Sequence, residues 1–262
     1  MFRTLWTAAT GMTAQQMNID TIANNLANVN NVGYKKSRAH FEDLIYQEIK
    51  PAGAISAAGL THPTGIQIGL GSKVASVEKV HTQGNMQYTG VNMDIAIEGD
   101  GYLQFTTPNG DIAYTRAGSL KIDSNGNIVN PNGYLLEPAI TIPEDATDIT
   151  FGENGVVSVI LPGQTEAQEI GQIETARFIN PSGLKAIGKN LFMPTGASGD
   201  PVTGVPSENG FGAISQNILE MSNVSVVDEM VNMITGQRAY EINSKAVQTG
   251  DEMLQIVNNL KR

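Results

Sequence analysis

The chain has 262 residues and a formal net charge of −10, with 28 Gly, 11 Pro and no Cys. The absence of Cys excludes disulfides, thiol chemistry and Cys-based metal sites, and the lack of a basic stripe argues against nucleic-acid binding. No window approaches eighteen consecutive apolar residues, so we predict no membrane insertion and no cleaved signal peptide. Residues 1–50 carry five basic and four acidic side chains and residues 221–262 carry four and five, so the net charge lies in 51–220.

An amphipathic helix is predicted from Arg3 to about Asn28. Side chains suited to a buried seam recur every three or four residues, the spacing that keeps one stripe facing a partner helix. The stripe is Leu5, Ala8, Met12, Gln15, Ile19, Ile22 and Leu26. Asp20 is the only charged residue between Arg3 and Lys35, so we expect the outer face to pack on more protein through amides, because burying charge is costly.

The segment after this helix is predicted to be extended. Asn30 to Gly33 is typical of a helix end, and the basic cluster that follows (Tyr34, Lys35, Lys36 and Arg38) fits either a solvated loop or a contact with the acidic middle of a neighbouring copy. From Pro51 to about Gly71 the chain is rich in Gly, Ala, Ser, Thr and Pro, which is typical of a linker or arm. We therefore assign residues 35–71 to an extended linker.

Residues 72–214 are predicted to form a β-rich central domain. Four Asn-Gly pairs lie between apolar runs of alternating pattern, and Asn-Gly favours tight hairpins in which both central residues have positive φ. The pairs are Asn109-Gly110, Asn125-Gly126, Asn132-Gly133 and Asn154-Gly155. We expect short antiparallel strands in a small sandwich or barrel-like sheet, followed by a Gly- and Pro-rich loop over 194–212.

A second long amphipathic helix is predicted from Met221 to Arg262, with Ser222 and Asn223 as candidate N-caps and two terminal cations that suit the helix dipole. Its stripe is Ala239, Ile242, Ala246, Thr249, Met253, Ile256 and Leu260. We expect it to pack on the N-terminal helix. The predicted fold is α+β, in which 1–34 and 215–262 form a terminal helical coiled-coil domain around the linker and the β-rich centre.

Residues with catalytic or metal-binding potential are few. His40, His62 and His81 are isolated in sequence, so surface histidines are a better interpretation than metal ligands. Asp123 opens a segment like a calcium loop, but Tyr134 occupies the position of the bidentate Glu, which favours a hairpin turn. The acids Glu144, Asp145, Asp148 and Glu153 leave a paired-carboxylate glycosidase conceivable. We otherwise predict no catalytic, cofactor-binding or metal site.

Motifs at both ends resemble those of the bacterial flagellar rod and hook axial proteins. The N-terminal motif is Ala23 to Asn28 with Gly33-Tyr34-Lys35, and the C-terminal one is Gln237 to Glu241 with Asn243 to Ala246. The motif residues are Asn24, Asn25, Asn28, Gly33, Tyr34, Lys35, Arg238, Tyr240 and Asn243. The opening Met1 to Trp6, the segment Gly65 to Gly69 and Pro138 to Pro143 make the distal-rod members of the family the most similar.

The resemblance implies a structural axial subunit, not an enzyme, that polymerises into the hollow distal rod and transmits torque from the motor to the hook. It also implies localisation in the flagellar basal body across the periplasm, and export by the type III apparatus without a cleaved signal. Partners would be other copies of the chain, proximal rod proteins, the hook protein and the ring bushing. A proximal rod or hook subunit, or less plausibly a peptidoglycan-cleaving enzyme, is the alternative.

The stripes of the two terminal helices supply the candidate assembly interface, because a long apolar seam is unstable in water. Its residues are Leu5, Met12, Ile19, Ile22, Leu26, Ala239, Ile242, Ala246, Met253, Ile256 and Leu260.

Overall fold

The computed structural model describes residues 2–53, 55–57, 60–61, 64–163 and 167–260. It confirms an α+β chain with a helix at each end and a β-rich region between them. The chain divides into two compact units. The first consists of Met1–Leu26, Ser37–Glu78 and Ser225–Arg262, and the second of Ala27–Lys36 and Lys79–Val224.

The first unit contains both helices and a long β-hairpin. Helix α1 spans Phe2–Ala27 and helix α2 spans Val226–Leu260. The strands between them are β1 (Ser37–Asp43), β2 (Tyr46–Lys50), β3 (Ile55–Ala57), β4 (Leu60–Thr61), β5 (Ile66–Gly69) and β6 (Ser72–Lys79). They pair in a nested order, β1 with β6, β2 with β5 and β3 with β4. The segment predicted as a linker is therefore the outer part of a hairpin that folds back on itself.

Helix α2 begins later than the sequence pattern predicted. Ser225 is the N-cap, since its Oγ accepts a hydrogen bond from the backbone N–H of Asp228 at 3.4 Å. The predicted cap Ser222 instead accepts from the N–H of Val224, and the predicted cap Asn223 accepts from the N–H of Lys36. A strand over 218–220 precedes them, so the start at 221 was wrong. The terminal cations Lys261 and Arg262 lie outside the described residues.

The second unit is a set of short strands. They are β7 (Met86–Tyr88), β8 (Ile95–Glu98), β9 (Tyr102–Thr106), β10 (Ile112–Thr115), β11 (Lys121–Ile122), β12 (Ile128–Val129), β13 (Leu135–Glu137), β14 (Asp148–Phe151), β15 (Val156–Ile160), β16 (Gln168–Gln172), β17 (Thr175–Arg177), β18 (Lys185–Gly188), β19 (Leu191–Met193), β20 (Val202–Gly204), β21 (Ala213–Gln216) and β22 (Ile218–Glu220), with a 3₁₀ turn at Pro181–Gly183. Strand β20 interrupts the loop predicted over 194–212.

Strand β9 is the centre of the largest sheet, which runs β11-β12-β13-β9-β10-β19-β18. Along the edge that it shares with β13, β9 also pairs with β17, and β17 in turn pairs with β20. A separate antiparallel sheet has the order β14-β15-β16, and two further pairs join β8 to β21 and β7 to β22. The core lies between these strands and includes Phe105, Leu103, Leu120, Leu136, Val157 and Ile173, all almost completely buried.

All four Asn-Gly pairs form turns between strands, but the turn type differs from the prediction. In each turn only the glycine has positive φ, at +81° to +88°. Its N–H donates to the carbonyl three residues earlier, as from Gly110 to Thr107, and the N–H of Thr107 donates to the carbonyl of Asp111. This is a type I turn closed by a left-handed glycine, the usual three-residue hairpin loop. Asn therefore occupies a right-handed turn position and needs no positive φ.

Candidate assembly site

Helices α1 and α2 run antiparallel and approach each other at glycines. A Cβ atom added to Gly250 would lie 2.8 Å from Leu5 Cδ2, and one added to Gly236 would lie 3.2 Å from Ile19 Cγ1. At Gly11 the nearest atom to such a Cβ would be Nδ2 of Asn243, at 2.9 Å. Because glycine has no side chain, the two helices can approach closely at these positions. This close approach accounts for glycines inside the helices, although each lowers helix stability by about 1 kcal/mol relative to Ala.

The apolar stripe predicted to face the partner helix lies only partly against it. On α1, Ile22 is buried, and Leu5, Met12, Ile19 and Leu26 are half-buried.

On α2, Ala239 and Ala246 are half-buried, but Ile242, Met253 and Ile256 are 66%, 49% and 59% exposed. The Leu260 side chain lies outside the described part of the chain. The predicted pairing face was wrong for α2, because hydrophobic periodicity cannot detect a contact built from Gly and Asn. The role of the exposed residues in assembly stays a prediction, as does a coiled coil.

The side chain of Asn25, in the N-terminal motif, is buried and links three elements of the first unit, whereas the sequence predicted an amide on the outer face of the helix. Its Oδ1 accepts from the N–H of Ser37 and its Nδ2 donates to the carbonyl of Ser37, both at 2.8 Å. The same Nδ2 lies 3.4 Å from Oε2 of Glu229 on α2. One amide therefore joins α1, β1 and α2 without introducing a charge. Asn24 is exposed, and Asn28 is half-buried and accepts from Asn31 at 2.6 Å.

Gly33 and Lys35 fix the start of the second unit. Gly33 has φ +68° and donates its N–H to the carbonyl of Glu220 at 2.8 Å. A Cβ atom there would lie 2.5 Å from the backbone nitrogen of Ala117, so only glycine fits. Two residues later, Lys35 Nζ lies 2.6 Å from Oε1 of Glu220 and donates to the carbonyl of Thr82 at 2.7 Å.

The pair of Lys35 and Glu220 is almost completely shielded from water, at 1% and 0% side-chain exposure. Burial lowers the pKa of Lys35, and the carboxylate of Glu220 opposes that effect. Arg116 lies 3.6 Å from Glu220 Oε2, and Gly84 donates its N–H to Oε1 at 2.9 Å. A carboxylate thus neutralises cations from distant parts of the sequence. Its importance was missed because an isolated Glu carries no sequence signal of its partners.

Lys35 and Tyr34 are consequently unavailable as a surface basic cluster. Tyr34 is buried, and Lys79 Nζ lies 4.4 Å from the centroid of its ring. Arg38 pairs with Glu78 of the same unit at 3.0 Å. These basic residues are neighbours in the sequence, but in the structure each makes a different contact.

The C-terminal motif places its residues on different faces of α2. Arg238 and Glu241 form an exposed ion pair at 3.0 Å, one turn apart on the helix. Tyr240 is 39% exposed, whereas Asn243 is half-buried beside Gly11. The motif therefore combines a residue of the helix contact with side chains left open to other protein.

Of the predicted surface histidines, His40 contacts Glu78 at 2.8 Å and His62 lies outside the described residues. His81 is not a surface residue: its Nδ1 lies 2.7 Å from the Tyr102 hydroxyl, and burial beside Lys35, Arg116 and Lys79 lowers its pKa to about 4. Burial raises the pKa of Tyr102.

The four candidate glycosidase acids, Glu144, Asp145, Asp148 and Glu153, are all exposed. Within the described ranges, no group of three or more potential ligand side chains could hold a metal ion. In the same ranges, no helix has the length and apolarity to cross a membrane.

Three protein-family models match successive parts of the chain. Residues 5–35 match the flagella basal body rod protein model, 96–159 the flagellar hook protein FlgE/F/G D1 domain, and 215–260 the flagellar basal body rod FlgEFG protein C-terminal model. Flagellar basal-body rod protein FlgG of Borreliella burgdorferi is 55% identical, with 100% of both chains covered. The proteins of the same name from Caulobacter vibrioides and Buchnera aphidicola (subsp. Acyrthosiphon pisum) are 49% identical over 98% of both chains, and 47% identical over 99% of this chain and 100% of theirs.

Two terminal helices with motifs at both ends, joined by a β-rich centre, define the class of flagellar rod and hook proteins. Full-length identity narrows the class: the chain belongs to the flagellar basal-body rod protein family and is a structural subunit of the rod.

Proposed function

We propose that this rod subunit polymerises head to tail, through the exposed faces of its terminal helices, into a hollow helical drive shaft that carries torque to the hook. The observation that carries the proposal is the apolar stripe left open on α2. It comprises Val227, Val231, Ile234, Ile242, Met253 and Ile256, which recur at helical spacing and are each 49% to 71% exposed. Covering one such side chain contributes about 1.5 to 3 kcal/mol, so a copied contact along this stripe would favour assembly.

The hairpin of the first unit supports the same proposal. Ile45, Tyr46, Ile49 and Ile66 are each at least half exposed on its strands and turns. Exposed apolar strands are a liability for a monomer, because they favour association with further protein. A subunit destined for a polymer would bury them against its neighbours. Contacts between different surfaces of successive copies produce open helical assemblies.

Basal-body localisation and the remaining partners follow from the family. We propose that the rod subunits contact proximal rod proteins, the hook protein and the surrounding ring bushing, and that the type III apparatus exports them without a cleaved signal peptide. The structural role of the family favours a subunit without catalytic activity, and the exposure of the four acids at 144–153 does not favour the glycosidase alternative.

Replacing Ile256 with Asp tests the assembly face. A carboxylate at a contact that becomes buried costs several kcal/mol, so Ile256→Asp should abolish polymers under conditions where the parent assembles. Sedimentation measures the polymer, and thermal unfolding should show an unchanged monomer, since Ile256 is 59% exposed. Asn258→Asp, an exposed position of the same helix, is the matched control and should assemble. Polymers of normal length from Ile256→Asp would contradict the proposed interface.

A further inference from the structure

The acidic charge of the chain is concentrated in one segment of the second unit. Residues 122–176 contain nine Asp or Glu and no Lys, Arg or His. The acids are Asp123, Glu137, Glu144, Asp145, Asp148, Glu153, Glu166, Glu169 and Glu174. Glu166 lies outside the described residues, and the other eight are exposed. None of these eight forms an ion pair within the part of the chain that the structure describes.

The same unit contains a cleft of the opposite character. It has a volume of about 450 Å³ and is lined by Lys35, Lys79 and Lys189, with asparagines 28, 31, 130, 132 and 190 around them. No acidic residue is among the lining residues of this cleft that the structure describes. In a protein of net charge −10 this is a local excess of cations beside amide donors.

Two of the three lysines in the cleft have no carboxylate partner among the residues that the structure describes. Lys35 is neutralised by Glu220, but Lys79 donates to the carbonyl of Lys35 and Lys189 donates to the hydroxyl of Tyr134. Burial lowers the pKa of Lys79, so an arriving anion would stabilise its charged form.

We propose that this cleft is a docking site for carboxylates of a second copy of the chain, specifically those of the exposed turn at Glu144, Asp145 and Asp148. The proposal rests on the polymeric function above and assigns one of its contacts. This turn, at the start of strand β14, places three carboxylates within five residues. Among the described residues, the only side chain that donates to any of the three carboxylates is that of Asn92, whose amide donates to Asp148 at 2.8 Å.

Charge complementarity selects a second copy as the occupant. None of the three acids lines the cleft, so the contact would join two unlike sites of successive copies, and a contact of that kind repeats along a polymer. Exposed single ion pairs are weak, but several carboxylates meeting partly buried ammonium and amide donors also fix register and partner. The contact would thus orient each β-rich unit against the next, while the helices supply apolar burial.

Zero-length carbodiimide cross-linking of the assembled parent tests the contact directly. Polymers are formed from equal amounts of ¹⁴N- and ¹⁵N-labelled chains, so that mass spectrometry separates links between copies from links within one. We expect mixed-isotope links from Lys79 or Lys189 to Glu144, Asp145 or Asp148. Polymers that form normally without these links would overturn the proposed contact and leave the polymeric function intact. A parent that does not polymerise at all would contradict the function itself.

Charge reversal provides the second test. Lys189→Glu and Asp145→Lys should each raise the concentration needed for polymerisation by about tenfold, which corresponds to a loss of about 1.4 kcal/mol at the contact. The double variant should recover most of the loss, because the two charges are exchanged. Lys185→Glu and Glu208→Lys, exposed charges outside the cleft and the acidic turn, are the controls and should assemble as the parent does. The proposal is overturned if the double variant shows no recovery, or if Lys189→Glu polymerises as the parent does.

Discussion

Glu220 is the residue on which the ends of the second unit depend. Its side chain is buried, and it meets Lys35 from the N-terminal part of the unit and Arg116 from the β-rich region. Its backbone carbonyl also accepts from Gly33. Removing one member of a buried ion pair is costly, because the remaining charge is left without compensation. Lys35 and Glu220 therefore link distant parts of the second unit through a buried ion pair, and neither is a surface charge.

Lys35→Met should lower the free energy of unfolding by about 3 kcal/mol, since Glu220 would retain only the more distant Arg116. Urea unfolding at neutral pH measures the loss. Lys36→Met is the control, because the contact of Lys36 with Asn223 is made through its backbone N–H and survives the change. Equal stability of the two variants would show that the buried pair contributes nothing.

His81 should make the second unit sensitive to acid. Its pKa is about 4 in the folded chain and about 6.5 when unfolded, so the unfolded state binds the proton more readily between these values. Stability should therefore fall as the pH drops from 7 to 4, by about 3 kcal/mol from this group. His81→Gln should give a shallower pH dependence in urea unfolding. An unchanged slope would mean that His81 is not protonated on unfolding in this range.

At the scale of elements, the packing of α1 on α2 depends on glycines, because a residue without a side chain lets the partner helix come close. Gly236 and Gly250 face α1, and their positions allow Ile19 and Leu5 to approach the backbone of α2. Most of the large apolar residues of α2 are exposed instead. Within one chain the two helices thus approach each other through small residues and an amide, and we expect the exposed stripe to be covered by other copies.

Gly250→Leu should weaken the helix pair even though the helix propensity of Leu is more favourable than that of Gly by about 1 kcal/mol. The new side chain would begin 2.8 Å from Leu5 Cδ2, so α1 and α2 must separate. Thr249→Leu, at the exposed neighbouring position, is the matched control and keeps the contact. Far-UV circular dichroism should show less helix for Gly250→Leu alone. Equal or greater helicity in that variant would refute the close approach.

At the scale of the molecule, we expect folding and assembly to depend on different units. Both hydrophobic clusters consist of residues between Ile95 and Ile214, which all belong to the second unit. The first unit instead exposes apolar side chains along α2 and along its hairpin. The second unit therefore has its own core around which to fold, and we expect the first unit to gain burial when copies associate.

Hydrogen exchange of the dilute monomer should reveal this division. Amides of β9, β10 and β15 should be protected, because they lie in paired strands over the core, whereas amides of α2 beyond about Arg238 should exchange quickly. Polymerisation should then protect α2. Mass spectrometry before and after assembly measures both. Uniform protection of the monomer would contradict the division.

The sequence by itself determined what local patterns encode. Helical periodicity predicted α1 to within a residue of its end and the body of α2, and the four Asn-Gly pairs marked four turns, because turn and helix preferences act over a few neighbouring residues. The terminal motifs indicated the family. None of these signals required knowledge of distant contacts.

Tertiary structure decided the contacts between residues far apart in the chain. The partner of Lys35 is 185 positions away, and the face of α2 that meets α1 contains Gly and Asn, which carry no hydrophobic signal. The fold of 51–71 into a returning hairpin likewise depends on pairing between strands. Such contacts are selected by shape, burial and charge in the assembled chain, and sequence periodicity records only which residues prefer to leave water.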